Sequence, residues 1–285
     1  PLIAVGLIAG LRVTLIASTV CLLVTAGFGG LLFMLTLNSG QTFAAILVVY
    51  LSLTRGDIGD TKGANIRNEW YPIGYIVAYL STCSVVVLGI LAAVTATPGL
   101  SVLVSSYVGE AIQIMSSHVP QMKIQGVDLI GEVLANRYPG FVGANWIIMI
   151  CINSSLAQGI ASRIKKNLRP KPSYLEFDLP MWLSWPFVIG ATITLIGTGE
   201  VGYLGRNASI LLATPYFLLG LAVLHCLAQN VLYKRPILIV FYIILLGSLK
   251  PLIMGENAWP ILFVTSIGVL ENWIGLRVRI KRKPS

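Results

Sequence analysis

The sequence predicts an all-α, polytopic integral membrane bundle, and three observations carry that prediction. Of 285 residues, 56% are hydrophobic and only 11% charged, with a mean hydropathy of +0.82, whereas about a quarter of an ordinary soluble domain is charged. The apolar residues form long unbroken runs and do not alternate, which excludes the dyad pattern of a membrane barrel and leaves helices to satisfy the backbone in lipid. The basic residues fall in short stretches between those runs, as the positive-inside rule requires of a multi-pass chain.

Eight runs approach the ~20 residues that cross ~30 Å of hydrocarbon. They lie at roughly 3–26, 30–53, 72–95, 141–161, 182–198, 208–231, 236–253 and 260–276. The first admits two readings: one helix, or a short helical tail over 1–10 followed by a span over 11–29, because Gly6 and Gly10 precede Arg12. Pro1 stands where a Met would, with apolar sequence already under way, so residues are expected to precede it; no cleavable signal peptide is visible.

Glu69-Trp70-Tyr71-Pro72 reads as an interfacial anchor, with Pro72 opening the third run. Between the third and fourth runs, Leu100, Leu103, Val104, Tyr107, Val108, Ala111, Ile112 and Met115 recur at helical spacing, opposite Ser101, Ser105, Glu110 and Gln113. That amphipathic helix is expected to end near Pro120, and a shorter one to run from about Val127 to Asn136. The pair over 97–140 reads as an in-plane cap on the outer face, or as a lid over an outward cavity.

The fourth run ends in Asn153 to Pro172, where Arg163, Lys165, Lys166, Arg169 and Lys171 cluster beside two prolines. With Arg55, Lys62, Arg67, Lys234, Arg235 and the tail Arg277, Arg279, Lys281, Arg282 and Lys283, fifteen basic residues share one side. Lys123, Arg137, Arg206 and Lys250 lie on the other, and Arg12 is the twentieth. This asymmetry predicts one membrane domain over 1–285, with 162–180 and both ends cytoplasmic and 97–140 outward.

Gly199 to Ser209 reads as a Gly-rich turn, with Asn207 capping a helix that starts at Ala208. Gly197, Gly199, Gly202 and Gly205 further predict that the 182–198 helix packs closely on a neighbour and breaks at its outer end. The candidate polar intramembrane or ligand residues are Asn145, Asn153, Gln158, Asn207, His225, Gln229 and Glu271. Ionisable groups in hydrocarbon cost roughly 2.5–3.5 kcal/mol, so His225 and Glu271, both in the basic-loop half of their helices, raise the expectation of a contact between them. The competing expectation is that Glu271 reaches the headgroups; Arg277, six residues on, lies on another face of a continuous helix.

The net charge of +9 is explained by loop topology and does not call for a nucleic-acid partner. Cys21, Cys83, Cys151 and Cys226 lie inside apolar runs without CxxC spacing, as small buried hydrophobes do. There is no Walker A loop, HExxH, GxSxG or acid pair on one helix face, so no enzyme, metal or cofactor is expected. Two functions fit: binding of a small solute on the outer side, or scaffolding of a membrane or cytoplasmic protein partner from within the lipid bilayer.

Several phrases point further: WYPIG at 70–74, NLRPKP at 167–172, LPMWL at 179–183, GYLGRN at 202–207, PYFLLGLAVLH at 215–225, KRP at 234–236 and LENWIGLR at 270–277. In this order the chain resembles the YybS-like family of predicted bacterial membrane proteins, catalogued as domain of unknown function 2232, in its alphaproteobacterial form. The resemblance covers about 70–277, and 1–53 more loosely. It supplies no catalytic residue. It implies a distant likeness to the small membrane subunits that bind vitamins or metals for energy-coupling-factor transporters, and to cell-shape membrane proteins of the MreD type.

Overall fold

A computed structural model describes residues 1–34, 39–58, 67–118, 127–174, 177–229, 233–248 and 259–281. Lys62, Lys123, Lys250, Arg282, Lys283, Asn230 and the expected helix end at Pro120 lie outside them. The chain divides into two compact units, Pro1–Leu80 with Trp146–Asp178 and Ser81–Asn145 with Leu179–Ser285.

The first unit begins with α1 (Leu2–Ala9) and α2 (Leu11–Phe33), separated at Gly10, whose φ of 90° only a glycine adopts without strain. The split reading of the first run is therefore the one realised. The chain folds back at Gly10 so closely that a Cβ on Gly6 would strike Thr14 and Val49. α3 (Ser39–Leu53) packs on both helices. Along α2, among the described side chains, only Thr14 and Ser18 are buried, while Phe28 is 93% exposed. A long helix with so much apolar surface outward is stable where lipid covers it.

After α3 the all-helical expectation meets one difference, a two-stranded antiparallel ribbon of β1 (Arg55–Ile58) and β2 (Arg67–Trp70). Arg55 pairs with Trp70 across it and lays its guanidinium 4.1 Å from the indole centre. A cation–π contact between directly opposite residues is the kind of cross-strand pair that holds a short ribbon. α4 (Ile73–Val94) then starts directly after Pro72, as the sequence predicts.

The second unit is built around α8 (Gly199–Ala228), which packs on α5 (Leu100–His118), α7 (Ser184–Ile196), α9 (Lys234–Gly247) and α10 (Trp259–Ile274). α7 follows a single 3-10 turn at Met181–Leu183, and a short α11 (Leu276–Lys281) follows α10. Leu183, Leu211, Leu212, Tyr216, Leu219, Val223 and Val264 form the buried interior. The α5 stripe is only partly covered: Leu100 and Val108 are buried, whereas Leu103, Tyr107 and Met115 stay exposed. Both oxygens of Glu200, at the start of α8, accept from Ser101 N–H, at 3.2 and 3.3 Å, so a carboxylate caps the N-terminus of α5.

Two local expectations are corrected. The short amphipathic helix at 127–136 and the run at 141–161 are one helix, α6 (Val127–Arg163), which passes through Pro139 without ending. The Gly-rich stretch 199–209 is the first part of α8 and not a turn, so Asn207 lies inside a helix and caps nothing. Its glycines serve close approach: a Cβ on Gly202 would meet the Gly197 backbone, and one on Gly205 would meet Ile193. The expected break after α7 is present, where Gly197 and Thr198 are extended and Gly199 takes φ 56°.

Proline in a helix interior removes an N–H and frees the carbonyl four residues back. Pro139 frees Ala135 O, and Tyr203 Oη donates to it at 3.3 Å. Pro215, inside α8, frees Leu211 O, and Ser81 Oγ donates to it at 2.7 Å. A neighbouring helix thus supplies each missing donor.

By length and composition, four described helices can cross a membrane: Leu11–Leu32, Ile73–Val94, Gly131–Arg163 and Gly199–Ala228. The other apolar runs form helices of 10–17 residues, where the sequence reading counts eight full spans.

Candidate functional site

The most basic stretch of the sequence builds the most unusual polar site, in the first unit. α6 ends at Arg163, and Lys165 adopts the left-handed region at φ 54°. Lys166 N–H donates to Ala161 O and Lys165 N–H to Ser162 O, both at 3.2 Å, which closes the helix as a Schellman stop does. This reversal aims the next residues at two other helix ends. Leu168 N–H donates to Leu7 O on α1 at 3.0 Å, and Arg169 Nη1 to Ser52 O, among the last carbonyls of α3, at 3.4 Å. Helix C-termini leave such carbonyls without partners.

The backbone of Arg169 is itself fixed, since Gln158 Nε2 and Asn167 Nδ2 donate to its carbonyl at 3.0 and 2.7 Å. Tyr174 Oη donates to Ser155 Oγ at 2.6 Å, and Phe177 is buried, so the segment is held further along as well. Of the five basic residues, Arg163, Lys165, Lys166 and Lys171 are exposed, while Arg169 is 6% exposed.

A guanidinium has five N–H donors and stays protonated in proteins. Among the described residues only the Ser52 carbonyl accepts from that of Arg169, and no carboxylate pairs with it. Burial pushes its pKa down by desolvation, a sign that the charge sits where water serves it poorly. The α3 C-terminal dipole offsets part of that cost. Among the described residues the side-chain N or O atoms both shut from solvent and unbonded are Ser18 Oγ and Ser162 Oγ. The unbonded guanidinium nitrogens are not among them, so they keep an opening. Ser162 lies one turn beyond Gln158 on α6, and Ser18 one turn beyond Thr14 on α2.

Of the candidate residues named from sequence, Gln158 belongs to this site, while Asn145, Asn153 and Gln229 are exposed. Asn207 is fully buried in the second unit and spent on structure. Its Oδ1 accepts from Gly140 N–H at 2.8 Å, and its Nδ2 donates to Asn136 O at 3.2 Å and to Tyr203 O at 2.9 Å. Residues 136 and 140 are one helical bond apart, so the amide is inserted into the α6 ladder beside Pro139.

His225 and Glu271 find different partners. His225 Nδ1 bonds Leu221 O at 2.9 Å and its Nε2 bonds Tyr242 Oη at 3.3 Å. Glu271 Oε1 accepts from Arg277 Nε at 2.7 Å and its Oε2 from Arg277 N–H at 3.0 Å. The expectation that Arg277 lies on another face fails because Gly275, at φ 67°, breaks the helix and brings Arg277 back over Glu271. Beside them, Asn272 Nδ2 and Trp273 Nε1 both donate to Ser184 Oγ, which also bonds Tyr216 Oη. We predict coupling of about 1–3 kcal/mol between Glu271→Gln and Arg277→Met in a double-mutant cycle, and additivity between Glu271→Gln and His225→Ala. Thermal unfolding in mild detergent measures both.

Among the described residues the second unit therefore spends its buried polar side chains internally, whereas the first holds a buried guanidinium with one long hydrogen bond. The sequence named the basic stretch as a topological signal and did not single out Arg169, since five basic residues in a loop look alike until one is buried. In comparison with known proteins, the family described as "Predicted membrane protein (DUF2232)" matches residues 1–255. No curated protein and no solved structure matches the chain.

Proposed function

Because the chain belongs to the DUF2232 family of predicted membrane proteins, we propose that it is a non-catalytic, multi-pass protein of the bacterial inner membrane that binds a solute bearing an anionic group. It would act as the small-solute-binding membrane subunits of energy-coupling-factor transporters do. The observation that carries this reading is the buried Arg169 guanidinium, which has one long hydrogen bond and no carboxylate among the described residues. Burial leaves this charge poorly served by water, and a bound anion would take up the donors that Ser52 O leaves. The sequence reading put the solute on the outer side; the unspent polar groups favour the end that carries the basic loop.

Ligand-dependent stabilisation tests this. Anions should raise the unfolding temperature of the purified chain, as any ligand that binds only the folded state does. Arg169→Gln, which keeps a polar side chain but loses the charge and the fork, should abolish the rise. A rise of equal size in that variant would refute the site.

The orientation rests on basic-residue asymmetry. Ser173 is exposed in the same segment, so Ser173→Cys should react with a membrane-impermeant thiol reagent only after the cells are opened. Labelling in intact cells would reverse the topology. The competing scaffold role is supported by the four exposed cations around Arg169, which suit an acidic partner surface. It predicts that anion binding depends on those four and is indifferent to Arg169.

A further inference from the structure

We infer that the Arg169 guanidinium is a receptor for a phosphate group, offered either by the headgroup of an anionic phospholipid or by a free phosphate ester. This rests on the anion-binding reading above and adds the chemical class of the ligand.

Three features point to phosphate: charge separates a free ester from a simple carboxylate, position favours a headgroup, and geometry suits any of these oxyanions. The first is charge: five cations fall within the nine residues from Arg163 to Lys171, and no acid interrupts the sequence from there to Tyr174. A monocarboxylate or a phosphodiester headgroup answers one of those charges, whereas a phosphate monoester carries close to two near neutral pH. The second is geometry. A guanidinium offers paired N–H groups in a planar fork that matches phosphate or carboxylate oxygens two at a time, and among the described residues only Nη1 is engaged, by Ser52 O at 3.4 Å. The fork is also preorganised, because Gln158, Asn167 and the Leu168–Leu7 bond hold the Arg169 backbone from both sides. The third is position. The site follows directly on the end of a helix long and apolar enough to cross a membrane, and juxtamembrane clusters of four to eight Lys/Arg attract anionic headgroups. The four exposed cations draw a phosphate toward the surface, and the buried one holds it.

The test uses the full chain, first in a phosphate-free maltoside detergent and then in nanodiscs, with thermal unfolding as the readout. In detergent, inorganic phosphate and glycerol 3-phosphate are compared with acetate and succinate at equal ionic strength. In nanodiscs, phosphatidylglycerol is compared with phosphatidylcholine. Phosphate-bearing probes should stabilise the wild type, and Arg169→Gln should weaken their apparent affinity by about tenfold or more, the loss expected when a charge-assisted hydrogen bond is removed. A variant with Lys165, Lys166 and Lys171 all changed to Ala should keep most of the effect.

Stabilisation by both soluble phosphates assigns a free ester, and stabilisation by phosphatidylglycerol alone assigns the lipid; either supports the inference. Stabilisation by carboxylates without phosphates overturns it and leaves the anion-binding reading intact. No stabilisation by any anion overturns both. An effect that survives in Arg169→Gln but vanishes in the triple lysine variant overturns both in favour of diffuse surface attraction. If Arg169→Gln fails to fold, Arg169→Lys, which keeps the charge and loses the fork, must show the same weakening toward phosphate.

Discussion

Changing Gly268 or Gly220 to alanine is expected to cost roughly 3 kcal/mol or more, read as a large fall in the unfolding midpoint of the purified protein, with loss of folded material at the upper end. These glycines lie where α8 crosses α10, and each faces a backbone carbonyl of the other helix. A Cβ on Gly220 would overlap Val264 O, and one on Gly268 would overlap Tyr216 O and come within 2.9 Å of Gly220 N. A side chain in the way could change rotamer, but a helical carbonyl cannot, so the helices must separate. Separation would also disturb Tyr216, Val223 and Val264, which are fully buried there. Because either change opens the same crossing, the double variant should cost less than the sum of the singles. Gly89→Ala and Gly159→Ala are the controls. Nothing lies within 4 Å of a Cβ at either site, so those changes should be neutral or stabilise by up to about 1 kcal/mol.

The second large effect is expected at Asn207. Replacing it with leucine would leave Gly140 N–H and Asn136 O without the amide that now bonds both, in a place where Asn207 is wholly buried. Each buried group left unsatisfied costs about 1–3 kcal/mol, so a loss of about 2–5 kcal/mol should appear in the same unfolding measurement. The clamp serves the kink at Pro139, which gives a second and sharper expectation. Pro139→Ala restores an N–H that can return to Ala135 O and lets Gly140 N–H return to Asn136 O. In that background the loss at Asn207 should shrink by at least about 1 kcal/mol. Additive losses would mean that Asn207 supports packing alone.

Some of this was legible beforehand and some was not, for identifiable reasons. The break after α7 could be read from Gly197 and Gly199, because a cluster of glycines marks either a turn or a close approach. The extent of the next helix could not, because the same glycine signal covers both uses, and at Gly202 and Gly205 close approach to Gly197 and Ile193 prevailed. The sequence reading put separate helices at 127–136 and 141–161, yet α6 runs on through Pro139, whose missing donor a lone helix cannot replace. Tyr203, more than sixty residues away on α8, replaces it, and Asn207 bridges the neighbouring Gly140 N–H and Asn136 O.

His225 and Glu271 were compared by depth along two continuous helices. The turn at Gly275 then gave Glu271 a partner six residues along its own chain. Arg169 was one of five cations in a loop until the end of α6 turned it toward Ser52.

Composition and run length determined by themselves that the chain is helical and belongs in a membrane, because no other backbone arrangement of such apolar stretches satisfies its own hydrogen bonds in lipid. Which polar side chains are consumed by the fold, and which are left with donors to spare, was decided by tertiary structure alone. A buried donor or acceptor takes its meaning from the partner it meets, and here those partners come from residues that only folding brings within 3.5 Å.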